Sequence, residues 1–297
     1  MDTRYGRVKW GPSGKRIQTS QAYWRQPLRW EKEAKRTEKR YRVFCGSLCD
    51  IFENKPDQPE MDEWRFRLLH LINLTPNLDW LLLTKRPELV LPLLETAGTP
   101  DGERWEGILP DNVWIGTSVE DQETANKRIP HLLEIPAAIR FLSCEPLLGP
   151  IDLTFIDDGE VMIDPEGYQQ LNVLKGYSYD AGTGEYGGPF PHIDWIIVGG
   201  ESGPEARPMH PYWAQIIRDQ CLVYDIPFFF KQRGAWTWDI ELPGVDDIKM
   251  TPSGHILKTV EDAKRYPGYL RFSKVGKKKA GRELDGREWN RFPKIEY

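Results

Sequence analysis

The chain has 297 residues, 39% of them hydrophobic and 12% aromatic, enough apolar material for one large domain or two ordinary ones. No run of about 18 apolar residues is present, and the basic start MDTRYGRVKWGPSGKR lacks the apolar stretch of a secretory signal, so neither a membrane span nor a leader is expected. Four cysteines at irregular spacing fit free thiols in a cytoplasmic protein, not a disulfide framework.

The net charge of −5 is unevenly spread: residues 1–42 carry +9 and residues 271–297 carry +5, leaving −19 for the body. Basic ends around an acidic body fit a nucleic-acid or protein partner at the termini, and they equally fit two solvated tails. Trp10, Trp24, Trp30 and Trp289 are compatible with stacking on nucleic acid and with packing against the open edge of a barrel.

After a basic segment over residues 1–40, six short apolar runs recur along the chain. They are RVFCGSLCDIF (42–52), DWLLLTKRP (79–87), NVWIGTSVE (112–120), AIRFLSCEPLL (138–148), DWIIVGGESG (194–203) and PFFFKQRG (227–234). Each is continuous and not alternating, as strands buried on both faces should be. Between them, residues 61–75, 87–97, 121–135 and 210–225 have helical apolar spacing, with Pro87 suited to a first turn and Pro130 expected to end or kink its helix.

Strand–helix alternation of this kind predicts an α/β fold with a parallel sheet, a partial (β/α) barrel over residues 41–234. A doubly wound sheet is the second choice, since no GxGxxG follows a strand. Residues 151–192, rich in Gly, Asp and Tyr, read as an inserted hairpin or loop placed as a lid, and residues 235–297 as a C-terminal extension without a core of its own.

In a parallel barrel the strands present their C-terminal ends to the ligand. Those ends supply Gly46, Ser47 and Asp50, then Thr84, Lys85 and Arg86, then Ser118 and Glu120, then Ser143 and Glu145, then Gly199, Gly200, Glu201 and Ser202, and last Lys231 with Gln232. Three successive strands end in a glutamate. Lys85, Arg86 and Lys231 are placed to pair with these glutamates, and the combination suits a small molecule with an amine for the carboxylates and a carboxylate for the cations. The pair Gly199–Gly200 fits either a backbone that a ligand approaches closely, with φ above zero, or a tight turn.

Cys45 and Cys49 first suggest a metal motif. On an extended strand their Cα atoms would lie roughly 13 Å apart, too far for one zinc, whose two sulfurs sit at most about 4.6 Å apart. Phe52 stands where a third cysteine would be. The five histidines are scattered, so no metal site is expected, and no phosphate loop or serine elbow appears.

The six runs, in the fuller phrases WLLLTKRPE, NVWIGTSVEDQETANKRIPHLLEIPAAIRFLSCEPLLGPIDL, IDWIIVGGESGPEARPMHPYWAQIIRDQC and PFFFKQRGAW, together with VGKKKAGRELDGREWNRFP, resemble a phage-associated family of unknown function. This is the Gp-thirty-seven/Gp-sixty-eight family, which is related to radical-SAM enzymes. The resemblance implies a partial barrel that uses S-adenosylmethionine bound to a [4Fe–4S] cluster. It implies GSLCD near the methionine amino group, and Ser118, Glu120 and the GGES turn near the ribose and adenine.

The family's CxxxCxxC segment lies upstream of the second strand, and here no cysteine precedes Phe44. By the resemblance, Cys45 and Cys49 belong to that second strand. The cluster ligands are then absent from this chain, as in an incomplete, split or degenerate member. Three functions follow as expectations: a radical-SAM-like enzyme once a cluster segment is supplied, a non-catalytic barrel remnant that binds a nucleotide or nucleic acid, or a hydrolase built on a carboxylate pair.

Overall fold

All six apolar runs form β-strands, and the segments of helical spacing form helices. The computed structural model describes residues 11, 14–45, 49–98, 102, 105, 109–157, 170–179, 183–184, 186–238, 247–266 and 268–294. Helices α1 (Gln21–Trp24) and α2 (Gln26–Thr37) precede β1 (Tyr41–Cys45), and α3 (Glu60–Asn73) leads to β2 (Leu78–Thr84). A helical turn at Pro87–Leu89 and α4 (Val90–Thr96) lead to β3 (Val113–Ser118), and α5 (Gln122–Glu134) to β4 (Ile139–Cys144).

The insertion carries β5 (Ile156–Asp157), β6 (Gln170–Asn172), β7 (Tyr177–Tyr179) and β8 (Tyr186–Pro189). The alternation resumes with β9 (Trp195–Gly199), α6 (Pro211–Val223) and β10 (Phe228–Gln232). The chain continues with β11 (Trp236–Thr237), β12 (Asp247–Met250), β13 (Ile256–Leu257), α7 (Val260–Arg265), β14 (Leu270–Lys274) and α8 (Lys277–Ala280).

The main sheet has six strands in the order β1-β2-β3-β4-β9-β10, with parallel pairing at β1/β2, β4/β9 and β9/β10. Its order follows the chain without the reversal that marks a doubly wound sheet. The fold is therefore mixed α/β, with a parallel sheet in the strand order of a partial barrel. All residues of β3 and β9 are buried, which is why those segments are apolar on both faces. In β1 half-buried and exposed residues alternate, as suits the strand at the end of the order.

The chain divides into two compact units. Unit 1 comprises Met1–Leu82, Glu88–Trp114 and Pro136–Ala138, and unit 2 comprises Leu83–Pro87, Ile115–Ile135 and Ile139–Tyr297. In unit 1 the buried Asn112 amide donates to the carbonyls of Thr75 at 3.0 Å and Leu78 at 2.8 Å, which fixes the α3–β2 turn. Buried Arg65 donates to Ile51 O at 3.0 Å and pairs with Asp62. Phe52 is fully buried. Cys45 belongs to β1 but Cys49 lies in a bend, so the 13 Å spacing inferred from one strand carrying both does not apply.

In unit 2, α5 starts on a capping box between Asp121 and Thr124 and runs through Pro130 to Glu134. Pro130 was expected to end or kink this helix, and it does not end it. The proline lacks an N–H and costs roughly 3 kcal/mol in a helix interior. Ile129, Leu132 and Leu133 are all buried around it, and each such side chain stabilises by about 1.5–3 kcal/mol, so packing prevails.

The insertion is a four-stranded antiparallel sheet, β5-β6-β7-β8. Its described contacts run to the helices: Leu153 N donates to Gln220 of α6 at 2.7 Å, and Asn172 Nδ2 to the Tyr224 hydroxyl at 2.9 Å. The described residues of the insertion are thus tied to α6 and its C-cap. The C-terminal segment forms a third sheet, β11-β14-β12-β13, within unit 2.

His210 caps α6, its Nδ1 accepting from Tyr212 N at 3.2 Å. It is packed among Trp213, Phe272 and Tyr212, and its Nε2 is buried without a partner. Burial lowers its pKa from 6.5 to about 4. Between those values the unfolded chain binds a proton that the native ring does not, so stability is lost as pH falls through this window. Relative to wild type, His210→Asn keeps a capping acceptor and is expected to remove about 1–3 kcal/mol of that acid loss. Urea unfolding at pH 7 and pH 5 reads it; equal acid losses in the two proteins would refute the assignment.

Candidate functional site

The strand-end residues expected to form a site are brought together in unit 2, with three exceptions. Gly46 and Ser47 lie outside the described residues. Asp50 belongs to unit 1, where its Oδ1 accepts from Phe52 N at 3.0 Å and so shapes a local turn. The other candidates lie at or just after the C-terminal ends of β2, β3, β4, β9 and β10, where neighbouring strands lie about 4.8 Å apart.

Backbone hydrogen bonds stitch these ends side by side. Val119 N donates to Ser143 O at 3.1 Å, Leu148 N to Glu120 O at 2.7 Å, Leu147 N to Gly199 O at 3.0 Å and Gly200 N to Gln232 O at 2.9 Å. Thr84, Ser118 and Ser143 are buried in this framework. Thr84 Oγ1 accepts from Arg86 N at 3.0 Å, and its carbonyl accepts from Thr117 Oγ1 at 3.0 Å. They shape the rim from behind, whereas Ser202 is exposed.

All three glutamates are ion-paired within the chain. Glu120 contacts Lys85 Nζ and takes Arg128 Nη1 at 2.8 Å, while Arg128 also donates to Ser118 O at 2.7 Å. Glu145 takes Lys231 Nζ and Gln232 Nε2, each at 2.6 Å. Glu201 takes the Arg207 backbone N–H and Nε, each at 2.8 Å, and this pairing holds its carboxyl below the ordinary range.

Of the cations that the sequence placed beside these glutamates, Lys85 and Lys231 do pair with them, and Arg207 supplies the third pair. In each pair the cation is the outer partner. Side-chain exposure is 53% for Lys85 against 12% for Glu120, 45% for Lys231 against 19% for Glu145, and 58% for Arg207 against 28% for Glu201. The carboxylates sit behind, and the ammonium and guanidinium groups are the more exposed partners.

The Gly199–Gly200 pair also differs from the ligand-facing reading. Neither residue has a positive φ. A Cβ on Gly200 would meet Arg233 O at 2.1 Å, and one on Gly199 would meet Glu145 Cδ at 3.3 Å. The space over both is taken by the chain itself. Gly199 lets the Glu145 side chain cross the end of β9 to reach β10, and Gly200 lets the β10–β11 loop close over the strand end.

Arg128, Arg207 and the pairing role of Gln232 were not legible in the sequence. Arg128 comes from α5 and Arg207 from the loop after β9, and no local motif marks either. Gln232 donates to both Glu145 and Gly200 O, at 2.6 and 3.2 Å, so its orientation is fixed, and its Oε1 is buried without a partner.

Cysteine chemistry is not concentrated here. Cys144 and Cys221 are buried, and burial pushes both thiols well above their ordinary value, against the thiolate a metal needs. Cys45 is half-buried and Cys49 exposed, and among the described residues no group of three metal-ligating side chains occurs. No helix among them is long and apolar enough to cross a membrane. Of the tryptophans, Trp289 is buried beneath Arg287, whose guanidinium lies 3.4 Å from the ring centre, so it packs and is closed to stacking. Trp24 lines a separate groove of about 360 Å³ in unit 1, with Arg67 over its ring. Trp10 lies outside the described residues.

If the chain itself fills the glycine sites, Gly200→Ala is expected to cost about 1–3 kcal/mol through overpacking. Gly199→Ala should cost less, because a side chain and not backbone must give way. Urea midpoints of the ligand-free protein test this; two unchanged midpoints would restore the ligand-facing reading.

No curated protein and no solved structure matches the chain. Residues 2–293 match a family described as a protein of unknown function, DUF5131, and the chain belongs to that family.

Proposed function

We propose that the chain is a partial-barrel protein that binds a phosphate-bearing ligand of the nucleotide class at the strand-end rim of unit 2. One observation carries this reading: at Lys85–Glu120, Lys231–Glu145 and Arg207–Glu201 the cation is the exposed partner. Cations held by carboxylates less exposed than themselves are pre-ordered, so an incoming phosphate need not order them. The parallel order of the strands gives the site its place, since ligands of such sheets bind outside the carboxyl ends of the strands.

The radical-SAM reading rests on sequence resemblance, and two features bear on it. The donor set does not fit a [4Fe–4S] cluster: two of the four thiols are buried and pushed toward the neutral form, and no third ligand joins any pair among the described residues. S-adenosylmethionine carries an ammonium and a sulfonium for one carboxylate, and a rim of outward cations disfavours that charge. A hydrolase needs a carboxyl that donates a proton near neutral pH. Glu201 is held below its ordinary range, and Glu120 and Glu145 each contact a cation.

Titration of the protein with AMP and with S-adenosylmethionine, followed by calorimetry, separates the readings. AMP is expected to bind, and Lys231→Gln to weaken it about tenfold or more, the value of one charge-assisted hydrogen bond. Binding of S-adenosylmethionine with none of AMP would overturn the proposal.

A further inference from the structure

We propose that the ligand of the rim is one unit of a nucleic-acid strand, whose following phosphates run over the lysines of α8. The proposal rests on the nucleotide reading of the rim and extends it from a small molecule to a polymer.

The short helix α8 is placed by its ends. Gly276 N and Val275 N both donate to Ala235 O at 2.9 Å, and Arg233 N donates to Gly281 O at 3.1 Å. Arg233 and Ala235 belong to the loop that leaves β10, two and four residues after Lys231. The same loop is tied to the rim by Ala235 N, which donates to Glu201 O at 2.7 Å. The helix that carries Lys277, Lys278 and Lys279 is therefore anchored to the loop that follows Lys231 and is bonded to Glu201, and all three lysines are exposed.

Their charge is not neutralised locally. Residues 271–287 carry seven Lys/Arg against two Asp/Glu, a balance of +5 in a chain of net charge −5. Of the nearby acids, Asp285 is taken by Arg218 and Glu288 by Arg282, which leaves the exposed Glu283. No acidic partner of Lys277, Lys278 or Lys279 occurs among the described residues.

The neighbouring cations are fixed in place. Arg233 lies 4.4 Å from the Trp238 ring centre and donates from Nε to Glu283 O at 2.8 Å. Lys274 reaches Pro204 O and lies 5.5 Å from the Trp236 ring centre. Three adjacent like charges repel one another, and here both ends of their helix are bonded to the loop beside an anion-binding rim. A chain with one phosphate per residue is complementary to such a track.

The test measures fluorescence anisotropy of a labelled 12-nucleotide single-stranded DNA, with AMP titrated separately. The wild-type protein is expected to bind the oligonucleotide more tightly than AMP. The variant K277Q/K278Q/K279Q should bind the oligonucleotide about 10- to 100-fold more weakly at 0.1 M salt, and the slope of log K against log salt should fall by about 2. Its AMP affinity should not change. A control variant, K32Q/K35Q/K39Q on and just after α2, removes the same charge elsewhere and should leave oligonucleotide binding intact.

Equal losses in the two triple variants would mean bulk charge alone and would overturn the track. So would oligonucleotide affinity no greater than that for AMP, or poly-glutamate competing as well as the oligonucleotide. Loss of oligonucleotide binding in the α8 variant, with no AMP binding in any protein, would sustain the track and refute the rim reading.

Discussion

The reach of Glu145 across the end of β9 is the constraint on which the rim depends. Its carboxylate starts from β4 and is met by Lys231 and Gln232 on β10, two strands away in the sheet order. That separation is about 10 Å between backbones, within reach of two side chains only if nothing stands on the strand between. Gly199 is the residue between, and its missing Cβ leaves the path open. The outward position of Lys231 follows, since its partner is fixed from below by Gln232. Glu145 is half-buried, and the two partners satisfy its carboxylate where water reaches it only in part.

The same logic orders the other two pairs with different parts. Glu120 is buried most deeply of the three and has two cations, one from the helix after its own strand and one from the end of β2. Glu201 lies nearer the surface and is held by both the main chain and side chain of Arg207. Exposed ion pairs contribute little to stability by themselves, roughly 0–1 kcal/mol. Their significance here is positional: three cations are aimed at solvent from one rim, at a cost in side-chain entropy met during folding.

The strands and most of the rim were legible because the signals are local. Apolar runs such as WLLLT and WIIVG are continuous only because both faces are covered, and the polar residues that follow them lie at the mouth by the geometry of parallel sheets. What was not legible is long-range. Whether Glu120 faces a ligand or an arginine depends on Arg128, which a whole helix turn pattern brings back to the strand. The glycine pair was ambiguous because its neighbour, Arg233 O, arrives from a loop some 30 residues later. Pro130 illustrates the reverse case, a strong local signal overridden by buried leucines and isoleucine around it.

Sequence resemblance and the reading proposed from the ion pairs lead in different directions at the rim, and the charge of the ligand is what separates them. The resemblance carries a cluster and a cationic sulfonium cofactor, both of which need electron-rich donors, thiolates for one and free carboxylates for the other. In this chain the thiols at Cys144 and Cys221 are kept neutral by burial and the carboxylates are spent on the chain's own cations. On the proposed reading, a partial barrel whose donors are occupied in this way retains the place for a ligand but reverses the sign of what it attracts. The outer lysines and arginine then favour phosphate, and the α8 lysines continue that preference along the adjoining loop.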